Sequence, residues 1–202
     1  MKYLFAIILI LISTSAYADE AQTAEKVEAY LNALTTFSAD FSQIDPEGKE
    51  AGGKFYLKRP GKFLWQYDER QPVEIVSDGS QLVYYDKKLK EVTYTNAKNS
   101  LAGFLSRKVI KFSGDIKLLS ATDENNEIHI VVTQKNKPED GVLSLIFDDK
   151  TMQFIALNVT DQNGGMTKIK FSNQQLGSAL ADNIFIFKNP KYSSVSNVWE
   201  GK

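Results

Sequence analysis

The 202-residue chain has no cysteine and a single histidine, and both scarcities narrow what it can do. Without thiols there is no disulfide framework, no thiolate nucleophile and no cysteine at which a lipid could be attached. Without a His or Cys cluster a zinc site has no ligand set. His129 lies between Ile128 and Ile130 in an alternating stretch, which gives it an outward or hydrogen-bonded structural place in a strand rather than a catalytic one. No serine occupies a Gly-x-Ser-x-Gly elbow, and no glycine-rich loop leads into a basic residue and a helix, so hydrolase and nucleotide-binding readings lose their anchors. Asp148-Asp149 and Asp123-Glu124 are adjacent acids, but each pair falls in a turn, where carboxylates serve local hydrogen bonding. The expectation is a protein that is not an enzyme, with no metal and no cofactor.

Charge of one sign is also missing as a block. The chain carries 24 basic and 25 acidic residues, scattered along its length, and nucleic-acid binding needs a concentrated basic surface. A long apolar run is absent too. The one such stretch, Tyr3 to Ile12, follows Lys2 and ends at Ser13, Thr14 and Ser15, well short of the roughly 20 residues that span a bilayer. With Ala16-Tyr17-Ala18 ahead of Asp19 it reads as a secretory leader, residues 1–18, cleaved to leave 19–202 as a single domain with no integral membrane segment.

What is present is period-two alternation. Ala21 to Leu34 is the one amphipathic helix, with Ala24, Val27, Leu31 and Leu34 on its stripe. From Phe37 onward apolar and polar residues alternate. Strands are expected at Gly53–Lys58, Phe63–Asp68, Val73–Ser77, Gln81–Tyr85 and Glu91–Thr95. After a break at residues 96–108 they resume at Ile116–Thr122, Glu127–Gln134, Val142–Asp148, Gln153–Asp161 and Met166–Asn173. In the break, Leu101, Ala102, Phe104 and Leu105 fit a short apolar helix. Phe185 and Phe187 suggest a last short strand. The fold class expected is mainly β: an unclosed (half) antiparallel β-barrel of about eleven strands capped by short α-helices.

The most informative stretch is Lys58-Arg59-Pro60-Gly61-Lys62-Phe63-Leu64-Trp65-Gln66-Tyr67. Alternation puts Phe63, Trp65 and Tyr67 on one face, with Lys62 and Gln66 pointing to solvent on the other. Those rings either fill a core or line an apolar hollow. Arg59, at the end of a strand, has a planar fork able to hold backbone carbonyls of whatever covers the sheet, or else supports the turn.

The order Gly53, Phe55, Leu57, Arg59-Pro60, Phe63, Trp65, Ile75-Val76-Ser77-Asp78-Gly79 and Tyr85-Asp86 resembles the LolA family of periplasmic lipoprotein carriers. The resemblance is strongest from Gly53 to Asp86 and weaker afterwards. It implies an apolar cavity, lined by Phe55, Leu57, Phe63, Trp65 and Ile75, that receives the acyl chains of lipoproteins. It also implies a lid at Leu101, Phe104 and Leu105, and Arg59 as the latch that bonds lid carbonyls. The implied partners are acylated lipoproteins, the inner-membrane LolCDE transporter and the outer-membrane receptor LolB, met by a monomer in the periplasm. The chain departs from the family pattern at Ser100-Leu101, where the lid usually opens Ser-Pro. It departs again at Leu64, where a basic residue is common, and in the tail from Lys191 to Lys202.

The alternative on the same half-barrel is a periplasmic lipid-binding sensor or assembly factor, and a third is a lipid-modifying enzyme. A sensor would be expected to add a domain or a membrane span, and an enzyme needs a polar constellation.

Overall fold

The computed structural model describes residues 4–69, 71–96 and 101–193, with side chains described for 19–69, 71–96 and 103–191. Helix α1 (Leu4–Ala33) is followed by β1 (Thr36–Ile44), β2 (Glu50–Lys58), β3 (Lys62–Tyr67), β4 (Val73–Asp78), β5 (Leu82–Asp86) and β6 (Glu91–Thr95). After a 3-10 segment at Leu101–Ser106 come β7 (Ile116–Glu124), β8 (Glu127–Gln134), β9 (Val142–Asp148), β10 (Phe154–Thr160) and β11 (Met166–Leu176). These eleven strands form one antiparallel sheet in the order β6-β5-β4-β3-β2-β1-β11-β10-β9-β8-β7. The sheet is not closed: β6 and β7 are its end strands. Among the described residues no helix is long and apolar enough to cross a membrane.

The mainly β expectation holds, and the eleven strands fall within a few residues of where alternation puts them. The helices differ. The 3-10 geometry at Leu101–Ser106 replaces the short α-helix expected there; six residues interrupted by Gly103 give little return on nucleating an α-helix. Helix α1 runs back to Leu4, through the apolar leader, and its stripe of Ala24, Val27 and Leu31 is buried as expected, along with Leu34 just beyond its end. Phe185 and Phe187 do not form a strand. Asp182–Phe185 is a 3-10 turn, closed by the Ile186 amide on the Asn183 carbonyl, and a short helix α2 (Pro190–Ser193) follows.

The chain groups into two compact units: Met1–Ala33 with Gln43–Glu50 and Val109–Phe171, and Leu34–Ser42 with Ala51–Lys108 and Ser172–Lys202. In the first, Ile128, Ile130 and Val132 of β8 and Leu145 and Phe147 of β9 are sealed from solvent, as a half-buried antiparallel ladder requires. Phe147 stacks on Phe154 at 5.0 Å and takes the Tyr30 ring of α1 edge-on at 5.7 Å. Helix α1 also bonds the chain ahead of β7. Asn32 receives the Ile110 amide and donates to the Ile110 carbonyl, both at 2.8 Å, and Glu28 accepts the Phe112 amide. Two side chains thereby satisfy backbone groups that lie outside any strand pairing.

In the second unit part of the opposite face is also buried, which corrects the expectation of solvent behind Phe63 at Leu64 and Lys62, while Gln66 is exposed as expected. Leu64, Val76 and Val83 form one row across β3, β4 and β5 and pack with the fully buried Phe185. Tyr56, Leu180, Ile184 and Phe187 border that cluster. The segment after β11 is therefore a strap over the back of the sheet. Lys58 and Lys62 both reach Asp182 at 2.9 Å, and Lys58 also donates to the Leu180 carbonyl at 2.8 Å. Lys62 thus points to this face as expected, but into an ion pair. Held by these two cations, the Asp182 carboxyl is pulled down to about 2, the hydrogen bond from Lys58 contributing most.

Candidate functional site

The front face of the second unit is built by strand register. Phe55 pairs with Trp65, Trp65 with Ile75 and Ile75 with Tyr84, a single row across β2 to β5. Beside it run Leu57, Phe63, Ser77 and Leu82. Because side chains alternate across a strand, every member of these rows points the same way. From β1, Phe41 meets Trp65 edge-on at 5.0 Å and Tyr67 at 5.1 Å, while Phe55 lies 4.2 Å from Trp65. Phe37 stands 6.1 Å from Phe55.

The five residues expected at the cavity, Phe55, Leu57, Phe63, Trp65 and Ile75, thus share one face. Their exposure is graded. Phe55, Leu57 and Phe63 are buried, Trp65 and Ile75 are half-buried, and Tyr84 at the outer end of the row is 43 % exposed. Phe37, Phe41, Leu82 and Tyr84 belong to the same surface and were not singled out from the sequence. Phe37 and Phe41 show the same period-two pattern, but assigning them to this face needs the pairing order of β1, which no local signal supplies. The two rows are mostly apolar; their side-chain polar groups are the Trp65 indole N–H and the hydroxyls of Ser77 and Tyr84.

Arg59 follows the last residue of β2 and its side chain turns toward the stretch just after the 3-10 segment. Its Nε donates to the carbonyl of Arg107 at 2.8 Å, its Nη1 to that of Leu34 at 3.2 Å and its Nη2 to that of Lys108 at 3.5 Å. Burial lowers its pKa from the ordinary guanidinium value, yet a guanidinium remains charged at any pH the fold survives. The Arg59–Pro60 peptide is cis. Of the expected lid residues, Phe104 and Leu105 are buried, Phe104 completely, and the Arg107 guanidinium stands over the Phe104 ring at 5.3 Å. Leu101 begins the 3-10 segment and its side chain lies outside the described residues, as does Ser100. A groove of about 470 Å³ runs beside the segment, lined by Pro60, Gly61, Gly79, Gly103, Ser106, Arg107 and Lys108.

Of the other polar candidates, His129 and Asp148 are engaged structurally. His129 shares a 2.8 Å contact between its Nε2 and Glu127 on the same strand. Asp148 accepts the Thr151 hydroxyl and amide at 2.7 Å, and those bonds hold its carboxyl below the usual range. Among the described residues no group of three or more His, Cys, Asp or Glu is placed to hold a metal ion.

The architecture is an open antiparallel sheet with an aromatic face across β1 to β4, and the comparisons with known proteins give its family. The family model described as outer membrane lipoprotein carrier protein LolA matches residues 32–188. An outer-membrane lipoprotein carrier protein of Legionella pneumophila is 30% identical over 199 residues, covering 95% of this chain and 96% of its own. That of Methylococcus capsulatus is 29% identical over 186 residues, covering 86% and 88%. Among solved structures, a putative outer membrane lipoprotein-sorting protein domain from Vibrio parahaemolyticus superposes with a TM-score of 0.51 at 12% identity, covering 82% of this chain and 95% of its own, a likeness of fold. The chain belongs to the LolA family.

Proposed function

We propose that this protein is a periplasmic carrier, not an enzyme, that takes up lipoproteins and shields their acyl chains against the face formed by Phe55, Leu57, Phe63, Trp65 and Ile75. The observation that carries this reading is that face itself: two apolar rows with ring contacts down to 4.2 Å, overlooked by a segment tied down through carbonyl hydrogen bonds. Each methylene removed from water is worth about 0.8 kcal/mol, so an acyl chain costs on the order of 10 kcal/mol to expose. Cargo therefore needs a hydrocarbon-like host to cross water.

Loading exchanges ring-to-ring and ring-to-lid contacts for ring-to-chain contacts. Dispersion is similar in both, so the apolar balance changes little, and the closed and open states differ mainly by the polar latch at Arg59. On this reading Phe104 and Leu105, with Leu101, are the lid, and Arg59 holds it shut. The leader 1–18 is removed, and residues 19–202 act as one carrier domain. The LolCDE transporter supplies the cargo and the energy, LolB receives it, and the carrier works as a monomer that binds no nucleotide.

The test is lipoprotein pick-up by purified residues 19–202 and by Trp65→Glu. A carboxylate set against acyl chains is expected to cut pick-up at least tenfold, measured at a temperature where thermal unfolding shows the variant to be folded. Undiminished pick-up by the variant would remove Trp65 from the cavity and the reading with it.

A further inference from the structure

Arg59, which grips the carbonyls of Arg107 and Lys108 just beyond the Leu101–Ser106 segment, is not the sole tie between the β2–β3 turn and this stretch of chain. The Gly61 amide donates to the Ser106 carbonyl at 2.6 Å. That amide is held in place from the opposite side. The Ser77 hydroxyl, on a fully buried residue, donates to the Gly61 carbonyl at 2.8 Å and accepts the Gly79 amide at 3.3 Å. Gly61 and Gly79 sit at φ of 83° and 99°, a region that glycine enters at little cost. A Cβ on Gly61 would fall 2.7 Å from the Gly79 Cα, so the β2–β3 and β4–β5 turns meet backbone to backbone. On the lid side, the Ser106 hydroxyl donates to the Gly103 carbonyl at 2.8 Å, and the Arg107 amide to that of Phe104 at 3.2 Å. The Ser106 carbonyl is thereby aimed outward at Gly61. The neighbouring groove of about 470 Å³ leaves this end of the segment room to move.

We propose that the Gly61–Ser106 bond is a second clasp on the lid, made by the backbone and set by Ser77 and Gly79 as positioning residues. The inference rests on the reading of Leu101–Ser106 as a lid. Arg59 grips the carbonyls of residues 107 and 108, whereas Gly61 grips that of residue 106. These bonds use different donors and acceptors, and opening breaks both; because Arg59 and Gly61 lie in one turn and grip consecutive residues, the two clasps are coupled, not independent.

The experiment measures amide exchange of residues 104–108 and release of a preloaded hydrophobic dye in Ser77→Ala, Gly79→Ala and Arg59→Leu, and in each of the first two combined with the third. Ser77→Ala removes the hydroxyl. Gly79→Ala strains the turn through its positive φ, while its new Cβ meets nothing closer than 3.7 Å. Each is expected to speed lid exchange about tenfold, in the range of one hydrogen bond, and to open the lid further than Arg59→Leu does alone when combined with it, while β2 and β3 amides keep their protection. Ser77→Thr, which restores the hydroxyl, is expected to recover wild-type exchange. If both variants leave lid exchange unchanged, or the combinations open no faster than Arg59→Leu alone, the second clasp is refuted and Arg59 stands as the latch. If exchange rises as expected but dye release and lipoprotein pick-up do not change, the clasp stands and the carrier reading fails.

Discussion

Replacing Arg59 by leucine tests how the covering segment is held. Among its bonds to main-chain carbonyls, the guanidinium makes a short one to Arg107 at 2.8 Å and longer ones to Leu34 at 3.2 Å and Lys108 at 3.5 Å. A hydrogen bond to a charged group contributes about 1.5–3 kcal/mol when well formed and far less when stretched, so the set is worth about 2–4 kcal/mol. At 1.4 kcal/mol per decade that corresponds to an open population raised by roughly 30-fold to 800-fold. The fold is expected to survive, because Phe55, Leu57 and Phe63 stay buried by their own row contacts. Hydrogen exchange followed by mass spectrometry on peptides covering residues 101–108 reads the change directly. Amides of β8 and β9, in the other unit, serve as the control for global stability. Acceleration confined to residues 101–108 is the expected result. Exchange within twofold of wild type, or equal acceleration throughout the chain, would refute the latch.

Phe185→Ala empties the centre of the cluster behind β3–β5, and urea unfolding is expected to show a loss of about 3–5 kcal/mol. A loss under 1 kcal/mol would mean that the strap is an ornament on the sheet. Asp182 has a folded pKa of about 2 against an ordinary 3.8, so its contribution is present above about pH 4 and is lost as pH falls toward 2. The stability difference between wild type and Asp182→Asn should therefore shrink across that window in urea titrations, and a difference independent of pH would contradict the pairing with Lys58 and Lys62. Asn32→Ala strands the amide and carbonyl of the fully buried Ile110. The expected cost is about 2–4 kcal/mol by thermal or urea unfolding, and a neutral variant would show that water replaces the side chain.

The strands were legible because each alternation had one buried side: Ile128, Ile130 and Val132 are separated by residues that meet water or the sheet edge. For the opposite reason the burial of Leu64 was not legible. Phe63-Leu64-Trp65 is buried or half-buried on both faces, and a strand covered twice loses its polar phase. What covers the second face is Phe185, more than a hundred residues away, and its own spacing with Phe187 mimics a strand. There the lysine-bound Asp182 opens a 3-10 turn instead. Phe55, Leu57, Phe63, Trp65 and Ile75 could be put on one face from the sequence because they are near in the chain, whereas Phe37, Phe41 and Tyr84 join that face through register. The front of the sheet is thus local in the chain, and its back and its cover are not.

The account stands or falls on whether acyl chains lie against the front face of β2–β4. A photo-reactive phenylalanine analogue placed at position 65, or at position 66 on the opposite face as control, can be irradiated after residues 19–202 are mixed with a triacylated lipoprotein. The account predicts a soluble complex and an adduct on the acyl chains from position 65, with none from position 66. No soluble complex, or equal labelling from both positions, would contradict it.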